Sequence, residues 1–161
     1  MSIKKIVIGI GELAVERNPA VLVTLGLGSC VGVCIRDPIS RVGGMAHVML
    51  PDSGNKDVQT PGKYADTAIA VLVEKLLSLG AVKTRLEAKI AGGASMFETS
   101  GMNVGQRNVE AVKHWLKYHQ IQLKAEDVGG NRARSIEYNI ETGKLLIRKV
   151  GGGETIQMIE I

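Results

Sequence analysis

Short runs of branched apolar residues, separated by glycine, proline and polar turns, constrain the fold of this chain more than any other feature. Apolar residues recur at helical spacing in only two longer segments, 63–80 and 103–120. The short runs predict β-strands at 4–10, 20–27, 31–37, 42–50, 85–93, 121–127, 134–140, 144–150 and 154–161. Many strands with two long helices predict an α+β fold, in which helices cover a face of mixed or antiparallel sheets.

Length and composition are those of a single globular domain. A chain of 161 residues can bury a good core as one domain, 1–161, and 45% apolar with 22% charged residues is ordinary. No apolar run approaches the roughly 20 residues of a membrane-spanning helix. The apolar start contains Gly9, Gly11 and Glu12 without a clear cleavage site, which predicts a first strand rather than a signal peptide. We therefore expect a cytoplasmic protein without membrane insertion.

The cysteines and histidines predict neither a disulfide nor a metal site. Cys30 and Cys34 on one strand would lie about 13 Å apart at Cα, whereas a disulfide tolerates at most about 7 Å. Free thiols suit a reducing compartment. The histidines are scattered and no CxxC pair occurs, so no metal is expected.

Two further patterns argue against a cofactor and against nucleic acid. The segment GIGELA (9–14) resembles a dinucleotide fingerprint, but Asn18-Pro19 interrupts the helix that the fingerprint requires, and positions 28–35 hold no acid. We expect no cofactor. The net charge of +4 is spread along the chain, and 3% aromatic residues are too few to stack on nucleic acid. The densest basic segment, NRAR (131–134), predicts a solvated surface or mild steering of an acidic protein partner.

The stretch around Cys30 is the strongest candidate for chemistry. Glycines precede and follow it, and the N–H groups after Gly28, those of Ser29 and Cys30, could converge into an oxyanion hole. His47 lies in an apolar run on a strand that could pair with the strand after Cys30, and burial would keep its imidazole neutral. A neutral imidazole can accept the thiol proton and give a thiolate near neutral pH. The alternative is that both residues simply belong to the core.

A catalytic imidazole also requires a group that orients it. Thr24, on an adjacent predicted strand, is one candidate, because its hydroxyl can hydrogen-bond the ring. Asp52, in the polar loop that follows His47, is the other, although its carboxylate could equally cap a turn. Spacing alone does not decide between them.

Six segments together resemble a known family: TLGLGSCVGVCIRDP, RVGGMAHVMLPDS, KYADTAIAVLVEKLLSLGA, LEAKIAGGASMF, VGQRNVEAV and AEDVGGNRARSIEYNIETGKLLIRKV. The family they resemble is CheD, the chemoreceptor glutamine deamidases of bacterial chemotaxis. The resemblance implies that Cys30 is the nucleophile, His47 the base and Thr24 the third member of a triad. It also implies a layered α/β sandwich similar to the catalytic domain of cytotoxic necrotizing factor toxins.

The implied activity is deamidation of glutamines on the cytoplasmic helices of methyl-accepting chemoreceptors, through a cysteine thioester. Gly28 and Ser29 would supply the oxyanion-binding backbone. The resemblance also implies a second partner, the phosphatase CheC, for which Met96 and Phe97 are candidate contacts in a glycine-rich loop. A regulatory adaptor without catalysis is the alternative of a different class, and a cysteine protease or transglutaminase is a weaker one.

Overall fold

Two mixed β-sheets and two helices make up the computed structural model, which describes residues 2–54, 58–95, 103–151 and 155–161. The helices are α1 (Ala65–Ser78) and α2 (Val104–Tyr118), with short 3-10 turns at Pro61–Lys63 and Lys83–Arg85. The strands are β1 (Lys4–Ile8), β2 (Leu13–Arg17), β3 (Ala20–Leu27), β4 (Val31–Asp37), β5 (Val42–Val48), β6 (Glu87–Gly92), β7 (Gln122–Val128), β8 (Ala133–Asn139), β9 (Leu145–Val150) and β10 (Gln157–Glu160).

Each sheet contains one parallel pair among antiparallel neighbours. The first sheet has the strand order β1-β3-β8-β9-β10, and β1 runs parallel to β3. The second sheet has the order β2-β5-β4-β6-β7, and β6 runs parallel to β7. The prediction of an α+β fold with mixed sheets and two long helices is confirmed.

The second sheet is the middle of three layers. Alternate residues of β4 point to opposite faces, so Val33 packs towards α1 and α2 while Cys34 packs towards the first sheet. Burial on both faces explains why β4 and β5 are almost continuously apolar in sequence. The space between the two sheets is filled by a separate cluster that includes Met45, Ile136 and Tyr138. The candidate site lies at one end of this space.

One strand was missing from the sequence prediction. Strand β2 (Leu13–Arg17) is a partly exposed edge strand without clear apolar alternation, and it becomes a strand by pairing antiparallel with β5. Its position also bears on the dinucleotide pattern. A strand, not a helix, begins at Leu13 within GIGELA, so the helix that a dinucleotide fingerprint requires is not formed there.

Arg134, the last residue of the basic segment NRAR, does not lie on the solvated surface that the composition predicted, whereas Asn131 is exposed. Arg134 is 2% exposed. Its Nε donates to Asp127 Oδ2 at 3.1 Å and its Nη1 donates to the carbonyl of Gly92 at 3.3 Å. Arg134 therefore ties the first sheet to the second through an ion pair with the partly buried Asp127, because Asp127 lies on β7 and Gly92 ends β6.

Across the part of the chain that the structure describes, we find no helix both long and apolar enough to cross a membrane.

Candidate active site

The turn that carries Cys30 takes the chain from the first sheet to the second. Strand β3 ends in an irregularity at Gly26, whose φ of +70° suits glycine. The residues that follow β6 fix the turn by two backbone hydrogen bonds. The N–H of Ala94 donates to Gly28 O and the N–H of Gly93 donates to Cys30 O, both at 2.8 Å. Cys30 is half-buried and contacts the apolar cluster between the sheets.

Two backbone amides of this turn are open to an incoming group. Among the described residues, the N–H groups of Ser29 and Cys30 donate to no hydrogen-bond acceptor. The N–H of Gly28 instead donates to Gly26 O at 3.1 Å. In this geometry Gly28 shapes the turn, and the neighbouring amides of Ser29 and Cys30 are the pair able to bind an oxyanion.

Strand β5 places His47 beside the same turn. Its N–H and C=O bond to Glu12 and Gly11 on the β2 side, each at 3.0 Å. Facing β4, His47 is therefore in a closely spaced, non-hydrogen-bonded pair with Gly32. Cys30 immediately precedes β4 and lies two residues before Gly32, so the turn that carries it is next to His47.

Thr24 determines which nitrogen of His47 carries the proton. Its Oγ1 lies 2.7 Å from His47 Nδ1 and 2.9 Å from the carbonyl oxygen of Ile8. A hydroxyl has one proton, and Ile8 O can only accept, so the hydroxyl donates to Ile8 and accepts from Nδ1–H. Nε2 keeps its lone pair and, among the described residues, has no hydrogen-bond partner although it is buried. The imidazole is thus held neutral, with its unprotonated Nε2 unpaired among the described residues.

The other candidate for orienting the ring does not reach it. Asp52 is exposed, and its Oδ1 accepts the N–H of Gly54 at 2.8 Å. This is the turn-capping role that the sequence left open. The structure therefore brings Thr24, and not Asp52, to His47.

Burial favours the neutral forms of both reacting groups. It lowers the pKa of His47, whose side chain is fully buried, and it raises the pKa of the half-buried Cys30 thiol. No hydrogen bond joins the two side chains. This differs from the expected thiolate–imidazolium pair, because desolvation penalises both charges and no contact in the free protein offsets that penalty.

The remaining candidate residues have different positions. Cys34 is fully buried between the sheets, burial raises its pKa, and both cysteines are free thiols. Met96 and Phe97 lie outside the described residues. Within the described ranges, no group of three or more His, Cys, Asp or Glu residues could hold a metal ion.

Sequence reasoning missed Asn108, which lies on α2 and whose amide nitrogen is 2.9 Å from the carbonyl oxygens of both Ser29 and Met49. A buried asparagine on the apolar face of an amphipathic helix was the available signal.

The fold and the site define a layered α+β protein in which a cysteine turn faces a neutral, threonine-held imidazole. The chain belongs to the CheD family. The family model, described as CheD chemotactic sensory transduction, matches residues 49–149. That range begins after Thr24, Cys30 and His47, so the match rests on the helices and the later strands.

Relatives from two bacteria match almost the entire chain. A Thermotoga maritima protein named chemoreceptor glutamine deamidase CheD is 71% identical over 98% of this chain and 99% of its own. A Clostridium botulinum (strain Hall) protein, "Probable chemoreceptor glutamine deamidase CheD", is 49% identical over 95% of this chain and 98% of its own.

A solved structure shares the fold at low sequence identity. It is a Neisseria meningitidis protein of the DUF152 family, with a TM-score of 0.51 and 8% identity over 85% of this chain and 75% of the other. This likeness concerns the fold alone. The resemblance to cytotoxic necrotizing factor catalytic domains stays a prediction.

Proposed function

We propose that this protein is a protein-glutamine deamidase that converts specific chemoreceptor glutamines to glutamates in the cytoplasm, with Cys30, His47 and Thr24 as the catalytic residues. The observation that carries the proposal is the free, buried Nε2 of His47, held by Thr24 next to the cysteine turn. The names of the relatives support the choice of substrate. The proposed domain covers residues 1–161 and uses no cofactor.

The first half of the reaction forms a thioester. Cys30 Sγ attacks the carboxamide carbon of the substrate glutamine, and the thiol proton moves to His47 Nε2 as the S–C bond forms. Because burial holds the resting pair neutral, this transfer accompanies the attack instead of preceding it. The amides of Ser29 and Cys30 stabilise the negative oxygen of the tetrahedral intermediate.

The second half releases both products. Protonated His47 gives its proton to the leaving nitrogen, ammonia departs as the C–N bond breaks, and the neutral imidazole is restored. His47 then takes a proton from water, whose oxygen attacks the thioester carbonyl; as the S–C bond breaks, the departing sulfur of Cys30 takes that proton back from His47. The products are glutamate, ammonia and the free thiol. Throughout the cycle, Thr24 keeps Nδ1 protonated and the ring fixed.

Mass spectrometry of a receptor tests the proposal. A purified cytoplasmic chemoreceptor fragment is incubated with the protein, and glutamine-to-glutamate conversion is mapped by peptide. We expect conversion at a few glutamines with the wild type and none with the matched Cys30→Ala variant. Cys34→Ala serves as the control cysteine substitution, because Cys34 lies in the core away from the turn. Conversion by Cys30→Ala at the wild-type rate would remove Cys30 from the mechanism.

The CheD resemblance also supports a second proposal, binding of the phosphatase CheC. Met96 and Phe97 remain the candidate contacts. Binding does not require the sulfur of Cys30, so Cys30→Ala should bind purified CheC as the wild type does, whereas Phe97→Ala should bind more weakly. Equal binding by Phe97→Ala and the wild type, measured by titration calorimetry, would remove Phe97 from that interface.

A further inference from the structure

Asn108 joins the cysteine turn to the strand of the proposed base. Its side chain is fully buried on α2, and Nδ2 lies 2.9 Å from Ser29 O and 2.9 Å from Met49 O. Both partners are carbonyl oxygens, which only accept hydrogen bonds, so both amide protons of Asn108 are used and the orientation of the amide is fixed. Few side chains can donate twice from one atom in so little space.

The first carbonyl controls the amide next to it. Ser29 O and the Cys30 N–H belong to the same planar trans peptide and point in opposite directions. Holding Ser29 O therefore aims the Cys30 N–H away from α2, and that N–H has no acceptor among the described residues. The second carbonyl belongs to Met49, which follows β5 just beyond His47. One side chain thus fixes the turn relative to the base.

Helix α2 packs closely against the backbone next to the cysteine turn, which holds Asn108 in place. Gly105 lies one turn before Asn108 on the same buried face, and a Cβ at Gly105 would lie 2.6 Å from Gly93 O. Gly93 in turn donates its N–H to Cys30 O. The first turn of α2 is therefore in close backbone contact with the residues that support the cysteine.

Packing alone does not account for an asparagine at this position. Asn108 Oδ1 is buried and has no hydrogen-bond partner in the described residues, a costly arrangement that an apolar side chain would avoid. What the amide provides is its pair of N–H donors. This points to a requirement for the two carbonyl contacts.

We propose that Asn108 is a positioning residue of the deamidation reaction, which orients the Cys30 amide towards the oxyanion and sets the placement of Cys30 relative to His47. This proposal rests on the proposed function. Asn108 does not touch the substrate; it acts through the Ser29–Cys30 peptide and the segment after His47.

The test compares Asn108→Ala with a control on the same helix, Asn103→Ala. Asn103 caps α2 by accepting the N–H of Gln106 at 3.0 Å, so its removal weakens the helix without touching the turn. On the receptor fragment, Asn108→Ala should lower kcat about 100-fold with KM changed less than about threefold. Asn103→Ala should stay within about twofold of the wild-type kcat at equal folded fraction.

Thiol alkylation gives a readout that does not depend on deamidation. Iodoacetamide labelling of Cys30 is followed against pH by mass spectrometry, and labelling of buried Cys34 reports global unfolding. A loosened turn exposes the Cys30 thiol. In Asn108→Ala, the midpoint of Cys30 labelling should therefore move to lower pH, towards the value of about 8.5 for an ordinary thiol, while Cys34 stays unlabelled. The sulfur then becomes more reactive towards the reagent and less effective on the substrate.

Each outcome bears on a separate claim. An unchanged Cys30 alkylation profile in Asn108→Ala, or Cys34 labelling that rises together with Cys30, overturns the positioning role. An inactive wild type overturns the proposed function, and the alkylation profile still decides the role of Asn108. Should Asn108→Ala not fold, NMR of the wild type decides, because the side-chain amide protons of Asn108 must exchange slowly if both are bonded. Fast exchange overturns the proposal.

Discussion

At the scale of the residue, the hydroxyl of Thr24 fixes the tautomer and the orientation of the His47 ring. It is the only group, among the described residues, that hydrogen-bonds the His47 ring, and its own proton is committed to Ile8 O. The choice of base nitrogen therefore follows from two contacts on one buried side chain. Sequence spacing could nominate Thr24 but could not separate it from Asp52, because the pairing depends on how the two sheets face each other.

Replacing Thr24 by valine preserves the shape of the side chain but removes the acceptor for Nδ1–H. We expect kcat for receptor deamidation to fall about 10- to 100-fold, because the ring loses its fixed tautomer and orientation. Thr24→Ser keeps the hydroxyl and should retain most of the activity. Equal activity in Thr24→Val and the wild type, in steady-state assays on the receptor fragment, would contradict an orienting role.

The pKa of His47 sets the acid limit of activity. The base must be neutral, and burial lowers its pKa, so the neutral form persists to a lower pH than for an exposed histidine. We expect kcat/KM to hold constant as pH falls and to decline only with a midpoint below about 6.5. Circular dichroism over the same range separates this decline from acid unfolding. A midpoint above that value in the folded protein would argue against a buried neutral base.

At the scale of the element, the first turn of helix α2 packs closely against the backbone of Gly93 and Ala94, which hydrogen-bonds the turn that carries Cys30. Its apolar face and its Asn103 cap follow from sequence rules, so the helix and its start were predictable. Its function in the site was not, because the contacts of Asn108 reach residues far along the chain. Strand β2 was unpredictable for a related reason, since only pairing with β5 makes it a strand.

Gly105→Ala tests the close seating of this helix. Alanine in place of glycine ordinarily stabilises a helix by about 1 kcal/mol, but here the added Cβ would clash with the carbonyls of Gly93 and Ala94. We expect Gly105→Ala to have a lower melting temperature and a lower kcat than the wild type, whereas a glycine-to-alanine change in a helix is ordinarily stabilising. Stabilisation by Gly105→Ala would show that the helix does not sit this close.

At the scale of the whole molecule, buried or partly buried carboxylates join segments that are distant in sequence. Asp37 at the end of β4 accepts hydrogen bonds from the N–H of Val82 at 2.8 Å and from Arg85 Nη2 at 2.9 Å. It thereby fastens the connection after α1 to the second sheet. Asp127 and Arg134 do the same between the two sheets. The α+β class, with helices covering a sheet, was predictable from strand and helix patterns, whereas these links were not, since burial and not composition decides which charges pair.

Asp37→Asn should destabilise the protein in a pH-dependent manner. Burial opposes ionisation of Asp37, but the hydrogen bonds from Arg85 and from backbone N–H groups outweigh it and hold its pKa well below the usual range. The ionised form therefore contributes stability above the unfolded pKa of about 3.9, and this contribution is lost as pH falls towards the folded pKa. We expect the free energy of unfolding of Asp37→Asn to lie about 2–3 kcal/mol below that of the wild type at neutral pH, and this difference to shrink below about pH 4.

Urea unfolding of wild type and Asp37→Asn at several pH values measures this deficit. Thr142→Ala, on the exposed turn between β8 and β9, removes a hydrogen bond from the N–H of Lys144 but no charge, so any deficit it causes should not change with pH. A deficit that stays constant as the pH falls would mean that the charge of Asp37 is not what stabilises the contact.

The central claim, a thioester on Cys30, is tested most directly by acid-quenching the protein with the receptor fragment and searching by mass spectrometry for a covalent adduct. We predict an adduct equal to the two chains less one ammonia, joined at Cys30 and released by hydroxylamine with a hydroxamate left at the former glutamine. Its absence in Cys30→Ala follows from the same chemistry. Glutamate formation by the wild type with no adduct at Cys30, under quench conditions that preserve a control thioester, would contradict the account.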